Sequence, residues 1–171
     1  MSLALRLAPV VFVAAVVQVS AISGARILGA EPDLLLVTVV AIGLVAGSIP
    51  GAVAGFAAGM LLDVMLLGVL GTSAIILTPV GYWAGRYGET TGRGRRYAPP
   101  LAAFALSIAA TLGGVAVHFL LDQPVSAREA LVTLLPSALF AALLILPVYR
   151  LCRWLVAPVQ RYEPARRVEL V

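Results

Sequence analysis

Six apolar stretches, at about 7–25, 34–49, 51–67, 69–85, 100–121 and 130–149, fill most of this chain, and nearly all its arginines lie in the gaps on one side of them. Apolar residues make up 61% of the sequence and charged residues 12%, with a mean hydropathy of +1.04. A soluble domain of 171 residues has no core large enough to hide so much apolar side chain. A bilayer removes the problem, because lipid replaces water around the outer faces of the helices. The expected fold is therefore all-α: one integral membrane domain over 1–171, a bundle of six transmembrane helices.

A helix needs about 20 residues to cross, with a lower limit of about 17. The first, fifth and sixth stretches meet that easily. The second and third are short and meet at Ser48-Ile49-Pro50-Gly51, where Pro50 is expected to break the helix into a tight hairpin. A kinked or re-entrant pair over 34–67 is the competing reading.

Six spans place both termini on one side. Arg6 precedes the first span; Arg86, Arg93, Arg95 and Arg96 follow the fourth; Arg150, Arg153, Arg161, Arg166 and Arg167 follow the sixth. Only Arg26 and Arg128 fall on the opposite side. The positive-inside rule makes the arginine-rich side cytoplasmic. Tyr82, Trp83, Tyr87, Tyr97, Tyr149, Trp154 and Tyr162 gather at the same helix ends, as an interfacial aromatic belt does. Contact with anionic lipid accounts for the basic surface. No separate basic domain points to nucleic acid, and the single Cys152 rules out an intramolecular disulfide. The longest polar pieces are a cytoplasmic loop at 86–99, which Gly88, Gly92 and Gly94 should make mobile, and a cytoplasmic tail at 157–171.

Glycines recur every four residues at Gly43, Gly47, Gly51, Gly55 and Gly59, and Asp63 continues the spacing. On one helix such positions form a slowly winding stripe that lets another backbone approach closely. The stripe serves packing within the chain or offers a groove to a partner's membrane helix. Gly81 and Gly85 repeat the spacing on the fourth span. Asp63 is the only charged residue well inside a span, and a bare carboxylate there costs at least ~2.5 kcal/mol on insertion scales. It must be hydrogen-bonded, protonated or facing water. His118 and Asp122 are spaced as neighbours on one helix face, which suits an interfacial hydrogen-bonded pair better than a metal site lacking further ligands. Nucleotide-binding, hydrolase and metalloprotease signatures are all missing, so neither catalysis nor a cofactor is expected.

Three segments together resemble a known family. EPDLLLVTVVAIGLVAG, from Glu31, resembles the PDL opening of the second helix in the MreD family of rod shape-determining proteins. GAVAGFAAGMLLDVMLLGVLGTSAI, over 51–75, resembles that family's GFxxGLLxD segment and the LG turn after it, and VGYWAGR, over 80–86, resembles its GYxxGR close. The match in order and spacing runs over about 31–86. Carried over position by position, Pro32, Asp33, Gly55, Phe56, Gly59, Asp63, Gly71, Gly81, Tyr82 and Gly85 fit the pattern, and Gly51 belongs to the same stripe. The resemblance implies a non-enzymatic subunit of the cell-elongation complex. Its partners would be MreC, the actin-like MreB, the glycosyltransferase RodA and a class B penicillin-binding protein. It also implies a layout similar to the six-helix substrate-binding S components of energy-coupling-factor transporters. Binding of a vitamin-like small molecule is therefore the alternative. Against it, the outer helix halves hold few polar groups beyond Asp63, Gln18, Ser20, Thr72, Ser73 and His118.

Overall fold

The computed structural model describes residues 3–22, 33–91, 97–120 and 127–160. Pro32, Glu31, Arg26, Arg93, Arg95, Arg96, Asp122 and the tail lie outside the described residues, as do the side chains of Arg6, His118, Arg128 and Glu129. The described residues form six α-helices: α1 (Leu3–Val17), α2 (Leu34–Ala46), α3 (Ser48–Met65), α4 (Thr72–Thr91), α5 (Ala98–Leu120) and α6 (Ala127–Gln160). A π-turn, Gln18–Ile22, extends α1.

The central helix is α2. Its sequence is apolar all round, and every residue from Leu35 to Val45 is buried, as expected for a helix with no polar face. The other five surround it. Around the ring, α1 packs on α3, α3 on α4, α4 on α5, α5 on α6 and α6 back on α1, and each also touches α2. Among the described residues, the seam between α1 and α6 is the thinnest of the ring, and the contact between α3 and α4 is the most extensive.

The α2–α3 boundary differs from the sequence expectation. The break falls at Gly47, whose φ of 108° lies in the left-handed region, and not at Pro50. The Gly47 N–H closes α2 by donating to the Gly43 carbonyl, and α3 begins at Ser48. Pro50 thus sits in the first turn of α3, where its missing N–H leaves no hydrogen bond unmade. The proline marks a helix start; the glycine makes the corner.

The segment 86–99 is also not one loop. Helix α4 continues to Thr91 and α5 begins at Ala98. Gly88 lies inside α4 against the Leu44 carbonyl, where a Cβ would come within 2.7 Å. It provides a close approach to α2 instead of a mobile joint. At the other end of the chain α6 runs unbroken through Arg150, Arg153 and Trp154.

Among the described residues, three helical segments can cross a membrane by length and composition: Ser48–Met65, Ala98–Val117 and Leu134–Trp154. Leu7–Ser20 and Leu34–Ala46 are apolar but shorter. The third stretch of the sequence thus proves long enough, while the described part of the first does not.

The glycines divide into filled and open positions, and that division sets an expectation. A Cβ on Gly59 would collide with the backbone of Ser73 and Ala74, whereas one on Gly113 would meet nothing within 4 Å. Gly59→Ala should destabilise the fold by about 1–3 kcal/mol, the usual cost of overpacking. Gly113→Ala should be neutral or stabilising by up to about 1 kcal/mol, because it removes only backbone freedom. Unfolding of the purified variants in mixed micelles checks both.

Candidate functional site

The residues singled out by sequence converge on the antiparallel α3–α4 pair. Gly51 lies against the Gly81 carbonyl, Gly55 against the Leu77 carbonyl, Gly59 against Ala74, and Gly85 against Ser48; at each a Cβ would collide with backbone. Helix α2 joins at one end. Gly43 faces Gly81 and Gly85, and Gly81 also touches Val39. The four-residue glycine spacing therefore spans two helices. Gly43 closes on α4 from α2, Gly47 turns the corner, and Gly51, Gly55 and Gly59 close on α4 from α3. The groove that a partner helix would have used is occupied by this chain's own fourth helix.

Asp63 is 5% exposed and lies near the end of α3. Its Oδ2 accepts the Gly71 N–H at 2.7 Å, and both carboxylate oxygens accept the Ser73 N–H at 3.2 Å. Its main-chain carbonyl accepts the Gly68 N–H at 3.0 Å. The Gly71 and Ser73 amides open α4, where the unpaired N–H groups and the helix dipole favour negative charge. Gly71, at φ 95°, supplies the left-handed residue that turns its amide toward the carboxylate.

The opposite end repeats the arrangement with the roles exchanged. Glu89, near the end of α4, reaches the start of α3: its Oε1 accepts from Ser48 N–H at 2.8 Å and from Ser48 Oγ–H at 3.0 Å. Its Oε2 lies 3.7 Å from Arg86 Nη1. Each helix of the pair thus sends a carboxylate from its C-terminal end to cap the N-terminus of the other. Asp33 caps α2 in the ordinary way, accepting from Leu36 N–H at 2.9 Å. Gln18 Oε1, at the start of the π-turn, accepts from Leu34 N–H at 2.8 Å.

Two of the selected residues stand apart. Phe56 and Tyr82 are exposed on the outer faces of α3 and α4. The Tyr82 ring meets Trp83 edge-on, with centroids 6.0 Å apart. Neither is needed to close the helix pair. Sequence reasoning missed Glu89, Ser48 and the role of Gly47. Glu89 read as a loop charge, and the signal that would have found it is its Arg86–Glu89 spacing on a helix continuing past Gly85. Among the described residues no three His, Cys, Asp or Glu side chains gather as metal ligands.

The family model described as rod shape-determining protein MreD matches residues 2–155. This chain belongs to the MreD family. Neither a curated protein nor a solved structure matches it. MreD proteins are rod-shape-determining membrane proteins and part of the rod-shape complex, and theirs is not a known enzyme family. Of the ten residues that carried the resemblance in sequence, six, Gly55, Gly59, Asp63, Gly71, Gly81 and Gly85, close the α3–α4 pair.

Both cross-caps accept hydrogen bonds from N–H donors, so an amide that keeps one acceptor oxygen should serve in part. Asp63→Asn should retain most of the fold, and Asp63→Leu should lose about 1–2 kcal/mol, the usual range for a lost cap. Glu89→Gln should exceed Glu89→Ala in the same way. Cell-shape complementation together with membrane accumulation reads both series. Asn as damaging as Leu would mean that the charge itself is required.

Proposed function

We propose that this MreD-family chain is a non-enzymatic scaffold of the cell-elongation complex in the inner membrane. It binds MreC there and helps control lateral peptidoglycan synthesis, with MreB, RodA and a class B penicillin-binding protein in the same assembly. The family match over residues 2–155 carries the reading. One further observation supports it: the conspicuous carboxylates Asp33, Asp63 and Glu89 are engaged as helix caps. The outer surface of α3, with Ile49, Val53, Phe56 and Val64 exposed, is apolar and open to lipid or to a partner.

The glycine stripe is not proposed as the docking groove, because α4 fills it. Ala54 and Ala58, which flank the stripe, are buried in the core. The contact with MreC is assigned to the outward face of α3 around Val53 and Phe56. In this topology all six helices enter the membrane, with both termini and the arginine-rich ends in the cytoplasm.

A photocrosslinking residue replacing Val53 or Phe56 should capture MreC in cells, while one replacing Ala58 should not. Capture of lipid alone from the exposed positions, with a vitamin-like small molecule bound to the purified chain, would move the function to the S-component class. Sidedness has its own test. Arg93→Cys should react with a membrane-impermeant maleimide only after the cells are permeabilised; reaction in intact cells would exclude a cytoplasmic 86–99 segment.

A further inference from the structure

The turn between α3 and α4, residues 66–71, is almost wholly apolar, and its side chains point away from the protein. Leu66, Leu67, Val69 and Leu70 are all exposed, Leu67 at 93%. A turn in water would carry glycine, asparagine, aspartate or serine at such positions. Here a leucine occupies the left-handed region, with φ 53° at Leu67, a conformation that non-glycine residues adopt at a cost.

Helix lengths locate this turn. The opposite end of the pair carries the Arg86–Glu89 ion pair, whose side chains are exposed, so it lies at or beyond the headgroups. Glu89 is hydrogen-bonded to Ser48, which brings the start of α3 to the same level. From there α3 has 18 residues, a rise of about 27 Å against a hydrocarbon thickness of about 30 Å. Along α4, Thr72 lies only about 21 Å from Arg86 by the same rise per residue. Tilt, or emergence of the Glu89 end into water, draws the turn deeper still. The hairpin therefore falls short of the far aqueous surface.

Four of the six main-chain N–H groups of the turn, all but those of Val69 and Leu70, are suited to that depth. Lipid accepts no hydrogen bonds, so main-chain N–H groups there need partners within the protein. The amides of Leu66, Leu67 and Gly68 donate to the carbonyls of Leu62, Val64 and Asp63, that of Thr72 donates to the Val69 carbonyl, and those of Gly71 and Ser73 donate to the Asp63 carboxylate. Thr72 Oγ–H also donates to the Val69 carbonyl, at 2.9 Å.

We infer that the α3–α4 turn is a lipid-buried cap. Leu66, Leu67, Val69 and Leu70 are solvated by acyl chains of the leaflet opposite the Arg86–Glu89 end, and Asp63 makes this possible by binding amides that lipid would leave unpaired. The inference uses the membrane setting of the chain but no partner and no choice of sides. Its test is therefore separate from that of MreC binding.

The test uses the full chain, purified alone and reconstituted in phosphatidylcholine–phosphatidylglycerol vesicles, with Cys152→Ala as background. A nitroxide is attached at Leu67→Cys or Leu70→Cys, and at Thr90→Cys for reference. Collision rates with oxygen, which concentrates in hydrocarbon, and with a neutral nickel chelate, which stays in water, are read by electron paramagnetic resonance. Oxygen collisions should dominate at 67 and 70, and the ratio should invert at 90. Nickel collisions at 67 and 70 matching those at 90 would place the turn in water and overturn the inference. Protection from both reagents would overturn it too, because protein would then cover the turn. Should Leu67→Cys fail to fold, Leu70→Cys and Val69→Cys give the same reading.

Discussion

The backbone-to-backbone contact between α3 and α4, sealed at both ends by exchanged carboxylates, is the interaction on which the rest of the structure depends. Lipid tails are as apolar as leucine, so burial of apolar surface does not drive these helices together. Close van der Waals contact and hydrogen bonds must do so. Gly51, Gly55 and Gly59 on α3 and Gly81 and Gly85 on α4 bring the two main chains within reach of each other. The same α4 glycines then hold the centre: Gly81 touches Val39, Gly85 faces Gly43, and Gly88 lies on Leu44. A side chain at Gly81 would push α4 away from α3 and from α2 at once, and the five-helix ring would lose the helix it closes around.

The exchanged caps add direction to this contact. A cap from a residue's own helix start, such as Asp33 on Leu36, stabilises that helix wherever it lies. Asp63 and Glu89 stabilise a helix start only when the other helix is already antiparallel and in register, since each carboxylate comes from the far end of its neighbour. A slip of one turn, about 5.4 Å, would carry both carboxylates away from their amides. In a chain this apolar, where many helix pairings bury similar surface, these few polar contacts select one. The exposed Arg86–Glu89 pair itself adds little in a solvated setting; what matters is the bond from Glu89 to Ser48.

The all-helical class, the bundle and the packing role of small residues were legible in the sequence because each rests on local pattern: long apolar runs, four-residue spacing and a lone carboxylate. What was not legible depends on three-dimensional relations that pattern leaves open. Gly43 to Gly59 look like one stripe in sequence, yet Gly47 folds that stripe over, so that both halves face α4. Pro50 reads equally well as a helix breaker and as a first-turn residue, and only the backbone at Gly47 distinguishes the two. Glu89 falls among arginines and glycines that signal a loop, whereas its partner Ser48 lies forty-one residues earlier and leaves no local trace. Asp63 announced that it needed a partner, but nothing in its neighbourhood said that the partners would be main-chain amides of its own turn.

The same physics explains why an assembly surface is hard to see on a protein of this kind. Every outward face of a membrane helix is apolar, whether lipid or another protein covers it, so composition does not separate the two. The glycines of the α2–α3–α4 contact and Asp63 are accounted for by the contacts they make inside the chain, so their presence says nothing about what lies outside. Phe56 and Tyr82 differ. A smaller or aliphatic residue at either position would leave the α3–α4 contact unchanged, because both side chains project away from it. Residues that belong to the ordered pattern of the family, and that this chain's own packing does not require, are where recognition by something beyond the chain has to be sought. A helix docking there gains nothing from apolar burial alone. It must fit the relief of the side chains it meets, and shape is the main property that separates a protein neighbour from lipid.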